Sequence, residues 1–145
     1  MNLIRVVMEL VRDDEGYPPF DSERVWAKEA RDGGYLIDNI PFFASQATYG
    51  DVIDVEYRDG EAYFLRTREW SKNSLLRVIF FDNQDPSPLR SELSRLGCET
   101  ELSEINTTLL AINVPPNIDM GSVRGLLEDG SRKGLWDYEE AIIWE

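Results

Sequence analysis

The run LRVIFF at residues 76–81 stops abruptly at DNQDPSP, and this switch most constrains the chain. A short, apolar, β-branched run closed by Asp, Asn and Pro is a buried strand followed by a turn. Residues 87–97 then have helical spacing. Ser87 precedes Pro88 as an N-cap before a proline at the first helical position, Leu89, Leu93 and Leu96 share one face, and Gly97 is placed to stop the helix. Cys98, Thr100 and Leu102 then alternate with Glu99 and Glu101, as in a strand with one wet face. A turn at Asn106 leads to a more apolar strand at 108–115, ended by Pro115-Pro116. Asp119 can cap a second helix whose apolar face is Val123, Leu126 and Leu127, with Gly130 and Gly134 loosening its end. YEEAIIWE closes the chain as a strand, with Trp136 and Trp144 on its flanks packing the sheet edge. Strand, helix, strand, strand, helix, strand is the split β-α-β, ferredoxin-like order.

The first half has no helical period. Residues 3–11, 23–30, 34–40, 51–58 and 61–70 read as short strands. Asp32-Gly33-Gly34 and Asp59-Gly60 supply tight turns between them, and Pro18-Pro19 keeps the first loop extended. In 51–58, Val52, Asp54 and Glu56 fall on one side, and Ile53, Val55 and Tyr57 on the other. Such strands favour a small antiparallel β-barrel or curled sheet. The expected fold is therefore α+β: a barrel-like half at 1–74 packed on a ferredoxin-like βαββαβ half at 75–145, the two forming two small domains or one integrated domain.

The stretch NIPFFASQATYGD at 39–51 interrupts that pattern with a proline and two adjacent phenylalanines. Adjacent residues cannot both face inward in a regular strand. Phe42 and Phe43 therefore divide the work, one plugging the barrel end and the other packing against the second half. Full burial of the Phe42 ring would make Phe42→Ala cost about 3–5 kcal/mol. Gly50 permits a sharp turn, and Asp51 can bond back to turn amides. The alternative is a binding lip, an exposed aromatic rimmed by acids.

Charge and composition exclude several chemistries. The chain carries 28 acidic residues against 15 basic ones, net −13. The excess is spread: 15 acids against 9 bases in residues 1–74, and 13 against 6 in 75–145. This opposes nucleic acid and anionic membrane as partners; the acidity either simply keeps the chain soluble or steers in a basic protein partner. There is no histidine, which removes the usual neutral-pH base, Ser-His-Asp and Cys-His nucleophiles and His-containing zinc sites. The single cysteine, Cys98, excludes an intramolecular disulfide and reads as a small core residue. No glycine-rich phosphate loop, metal-ligand spacing or singled-out carboxylate pair appears, and 82–85 lacks the glycine and distal glutamate of a calcium loop. No cofactor or metal is expected. The start of the chain lacks signal-peptide character and no apolar run suits a membrane helix, so the expected location is cytoplasmic.

The residues Val25-Trp26-Ala27, Gly34-Tyr35, Asn39-Ile40-Pro41-Phe42 and Tyr49-Gly50-Asp51 together resemble the signature of a bacterial domain family of unknown function. Leu75-Leu76-Arg77-Val78 fits the start of that family's second half, and the resemblance spans roughly residues 1–140. It implies a bacterial, cytoplasmic domain and brings no catalytic residue or substrate.

These observations favour a non-enzymatic acidic binding protein, most concretely an immunity or antitoxin-type inhibitor of a basic protein. Carboxylates in such an inhibitor stand where a nuclease would hold phosphates. The candidate contacts are Asp13, Asp14 and Glu15 in the proline loop; Phe42, Phe43 and Tyr49; Asp54 and Glu56 on the polar strand face; and Asp137, Glu139 and Glu140 near the C-terminus. The alternative is a small-molecule-sensing regulatory module that dimerises through its ferredoxin-like half. The sequence does not set the oligomeric state.

Overall fold

Alternating apolar residues in the first half close on themselves. In the computed structural model, which describes residues 2–144, β1 (Leu3–Glu9), β2 (Ser22–Glu29), β3 (Tyr35–Ile37), β4 (Val52–Arg58) and β5 (Glu61–Glu69) form a closed barrel. Successive strands pair antiparallel. The closing seam is parallel, with Val6 opposite Ala62 and Val7 opposite Tyr63, so the barrel is not purely antiparallel. A parallel seam is a consequence of closure: an odd number of up-and-down strands returns the last in the direction of the first.

Inward positions keep to the period of two: Val6 and Met8, Val25 and Ala27, then Ile37, Ile53 and Ala62. Asp59 and Gly60 both take positive φ, 51° and 81°, as the tight β4–β5 hairpin demands. Between β2 and β3, residues Arg31–Gly33 make one 3-10 turn, with Asp32 at φ 62°. Gly34 comes next because a Cβ there would lie 2.8 Å from Val52 Cγ1. Relative to β4, β5 carries extra residues where the register slips. Tyr57 ends its strand beyond the core. It is 61% exposed rather than inward, with its hydroxyl 3.0 Å from that of Tyr35.

The second half is a separate compact unit. The boundary falls between Ser71 and Lys72. Its elements are β6 (Ser74–Phe80), α1 (Ser87–Leu96), β7 (Glu99–Leu102), β8 (Leu109–Val114), α2 (Met120–Arg132) and β9 (Trp136–Ile142). The sheet order is β7-β8-β6-β9 with every neighbour antiparallel. Leu76, Val78 and Phe80 of β6 and Leu110, Ile112 and Val114 of β8 meet Leu89 and Leu93 of α1 and Val123 and Leu127 of α2.

Local chemistry sets the helix limits. Helix α1 starts at Ser87, one residue earlier than a Ser87 cap implies, and Asp85 accepts the Ser87 amide at 3.0 Å. Those bonds to Ser87 hold the Asp85 carboxyl below its ordinary range. Gly97 stops the helix at φ 97°. Asp119 caps α2, accepting the Gly121 amide and the Ser122 hydroxyl. Gly130 does not loosen this helix. It is a buried position inside it, and a Cβ would fall 1.9 Å from the Trp136 ring. Trp136 lies within β9 and enters the core, where its indole donates to the Leu127 carbonyl at 3.0 Å. Cys98 belongs to the same core, and burial pushes its thiol up to about 11. Among the described residues, no helix is long and apolar enough to cross a membrane.

Candidate functional site

The 39–51 segment is held by carboxylates, not by its aromatic rings. Glu23 on β2 accepts three successive backbone amides, from Phe42 at 2.6 Å, Phe43 at 2.9 Å and Ala44 at 2.8 Å. A carboxylate can take several N–H donors at once, and such charge-assisted bonds are stronger than neutral ones. Asn39 accepts the Trp26 amide at 2.6 Å, and Trp26 in turn accepts the Asp38 amide at 2.8 Å. Asp51, 2% exposed, accepts the Thr48 amide at 3.0 Å and both the amide and the hydroxyl of Ser71 at 2.8 Å. Gly50, at φ 86°, lets the chain turn between Ile37 and Asp51. These bonds lock a segment without regular structure onto the barrel.

Neither phenylalanine plugs the barrel. Ala44 and Ala47 from this segment enter the barrel core, while Phe42 and Phe43 remain half-buried. Small residues suffice because the interior of a five-stranded barrel is narrow. Phe43 instead faces the β1–β2 hairpin. Its ring meets Phe20 edge-on with centroids 5.5 Å apart, and Tyr17 at 6.1 Å. Tyr17 and Phe20 are 41% and 43% exposed. The three rings make an aromatic lip whose backbone is fixed on one side by Glu23.

The hairpin is braced as well. Asp13 accepts the amides of Glu15 at 2.9 Å and Tyr17 at 3.0 Å, so its carboxylate shapes the hairpin tip. Arg12 pairs with Asp21 at 2.9 Å and donates to the Pro19 carbonyl. Asp14 and Glu15 are exposed beside Tyr17, and among the described residues their carboxylates have no ion-pair partner.

The remaining acids divide clearly. Asp54 is occupied by Arg66 at 3.1 Å and Arg68 at 2.5 Å. Glu56 is exposed on the same strand, near Arg58. Glu139 pairs with buried Arg77 at 3.1 Å, and Glu140 accepts from Arg124 Nε at 2.7 Å and Nη2 at 3.0 Å. Asp137 is exposed on β9. Tyr49 is half-buried at the turn before Gly50. The structure thus brings Phe43 together with the proline loop, and leaves Asp54 and Glu56 on the barrel wall and Asp137, Glu139 and Glu140 in the other unit. Among the described residues, no group of three or more Cys, Asp or Glu side chains is arranged to hold a metal ion.

The proline loop looks merely polar in sequence, so the pairing of Tyr17 and Phe20 with Phe43 goes unseen. The available signal is YPPF, two aromatics around a proline pair. Glu23 is also missed, because nothing local distinguishes a clamping carboxylate from a solvated one.

The model of a domain of unknown function, DUF4265, matches residues 23–138. The chain belongs to this family. A solved structure of a hypothetical protein from Neisseria gonorrhoeae is similar over 100% of this chain and 98% of that one, with a TM-score of 0.84 and 20% identity. That likeness shows a shared fold. No curated protein matches the chain. Within this DUF4265 chain, Trp26, Asn39, Gly50 and Asp51 all serve the clamped segment.

Proposed function

We propose that this DUF4265 protein is a non-enzymatic binding protein that docks a basic protein, in the manner of an immunity or antitoxin-type inhibitor. The observation that carries this reading is the lip of Tyr17, Phe20 and Phe43 beside Asp14 and Glu15, which have no ion-pair partner among the described residues. Exposed, rigidly held aromatics anchor protein interfaces, and a carboxylate rim selects a basic partner and speeds its approach. The net charge of −13 acts in the same direction. The protein is read as bacterial and cytoplasmic. The bacterial source of the structural neighbour supports the first choice, the single cysteine suits the reducing compartment of the second, and the absence of histidine and of any cofactor motif supports a non-enzymatic role.

The test is co-purification from a bacterial lysate with the wild-type chain and with a Phe20→Ala, Asp14→Lys variant. A basic protein retained at 1:1, released by high salt and lost with the variant, supports the reading. Equal retention by both chains, or binding indifferent to salt, overturns it.

A second reading is a small-molecule-sensing module that dimerises through its C-terminal unit. Its sheet order and two helices support reading that unit as ferredoxin-like. An open cleft of about 250 Å³ beside Phe80, Asn83, Gln84, Pro86, Leu102 and Thr107 is where such a ligand would be sought. A stable dimer without a protein partner would move the weight to this reading.

A further inference from the structure

We propose that the outer edge of β9 is a docking edge for an extended, lysine- or arginine-bearing segment of a partner protein, which adds to the sheet as a fifth strand. Strand β9 ends the order β7-β8-β6-β9 and, among the described residues, pairs only with β6. Its alternate backbone groups on the far side therefore point away from the sheet.

The two edges of this sheet are treated differently. On β7, which spans only Glu99–Leu102, Arg90 lies across the strand, donating to the Thr100 hydroxyl at 3.0 Å and to its carbonyl at 3.4 Å. That guanidinium blunts the edge. No hydrogen bond among the described residues covers the outer backbone of β9 in this way.

Strand β9 is also fixed in place. Trp136 is seated against Gly130 and bonded to Leu127, and beyond the other end the Trp144 amide donates to Ser74 Oγ at 2.9 Å. The register slip opposite Leu75 and Leu76 leaves Ala141 as an extra residue, so the regular template is 136–140. A strand held straight in advance loses little conformational freedom when another pairs with it.

Charge decides the occupant. Asp137 and Glu139 lie on one face of β9 and carry the charge argument, while Glu140 on the other face is already held by Arg124. Glu139 stays 53% exposed despite Arg77. Antiparallel pairing of two copies about Tyr138 or Glu139 would set carboxylate against carboxylate, which disfavours a second copy of this chain. A strand with basic side chains at alternate positions meets the same acids favourably. This edge shares with the proposed function the expectation of a basic partner, but it uses none of the lip residues.

The test uses the full chain and a short fluorescent peptide of alternating lysine and valine, read by anisotropy. Binding is expected. N-methylation of one alternate set of peptide amides should abolish it, and methylation of the other set should be tolerated. Asp137→Lys should weaken it about 10-fold, attraction becoming repulsion at one cross-strand pair and its neighbours. Phe20→Ala should leave it unchanged, which separates this edge from the lip. Circular dichroism checks that both variants fold. No binding, or binding that tolerates both methylated sets, overturns the proposal. So does a concentration-dependent dimer that Asp137→Lys disrupts, because a second copy would then hold the edge.

Discussion

The two units both hold their sheets on buried aliphatic side chains, but only the barrel unit adds a carboxylate clamp on an irregular segment. The C-terminal unit fills its core with large side chains on regular elements: Leu76, Val78, Phe80, Leu110, Ile112, Leu127 and Trp136. The barrel unit fills its interior with Val6, Met8, Val25, Ile37 and Ile53 and completes it with small residues, Ala27, Ala44, Ala47 and Ala62. It then fixes an irregular segment from outside with Glu23 and Asp51. The first strategy is non-directional and fails by overpacking or by cavities. The second is directional and fails when one acceptor is lost.

Single substitutions separate these modes. The largest effect is expected at Gly130. The helix accepts alanine, but the added methyl meets the Trp136 ring, so Gly130→Ala should cost about 3 kcal/mol or more by urea unfolding. A neutral or stabilised variant would show that Trp136 shifts freely. Next is Glu23→Ala, which strands three amides and should cost about 2–3 kcal/mol. Glu23→Gln keeps an acceptor and should lose less. Phe42→Ala should cost about 1–2 kcal/mol, below the value for a fully buried ring, because Phe42 is only half-buried.

A smaller effect is expected at Cys98. Burial, aided by the Glu99 charge, raises its thiol from the ordinary 9.0 to about 11. A raised folded value means the contribution is fully present below pH 9.0 and is lost as pH rises through about 11. Chemical denaturation at pH 8 and 10.5 should therefore show a loss at the higher pH that Cys98→Ala reduces. At pH 8 a disulfide reagent should label the thiol only as the chain unfolds, and rapid native labelling would contradict its burial.

The C-terminal elements are legible because each rests on local signals. Helical spacing of Leu89 and Leu93, the Asp119 cap, the Gly97 stop and the succession of strands and helices along the chain are all available in the sequence. The Asp59-Gly60 hairpin is legible for the same reason. Asp51 is expected to bond back to turn amides and does so at Thr48, but its bonds to Ser71 join residues twenty apart. The Glu23 clamp and the meeting of Phe43 with Phe20 likewise depend on contacts across about twenty residues or more, for which no periodicity exists. That is why the sequence points to a phenylalanine in the barrel while the neighbouring alanines do the filling.

The 39–51 segment is scaffold, locked by Glu23, and we propose that the lip Phe43 forms with Tyr17 and Phe20 is used for binding. Paired urea titrations of Glu23→Ala and Phe20→Ala test this most directly. A loss of about 2–3 kcal/mol is expected for the first and about 1 kcal/mol or less for the second. A Phe20→Ala loss as large as that of Glu23→Ala would make the lip part of the fold and contradict the account.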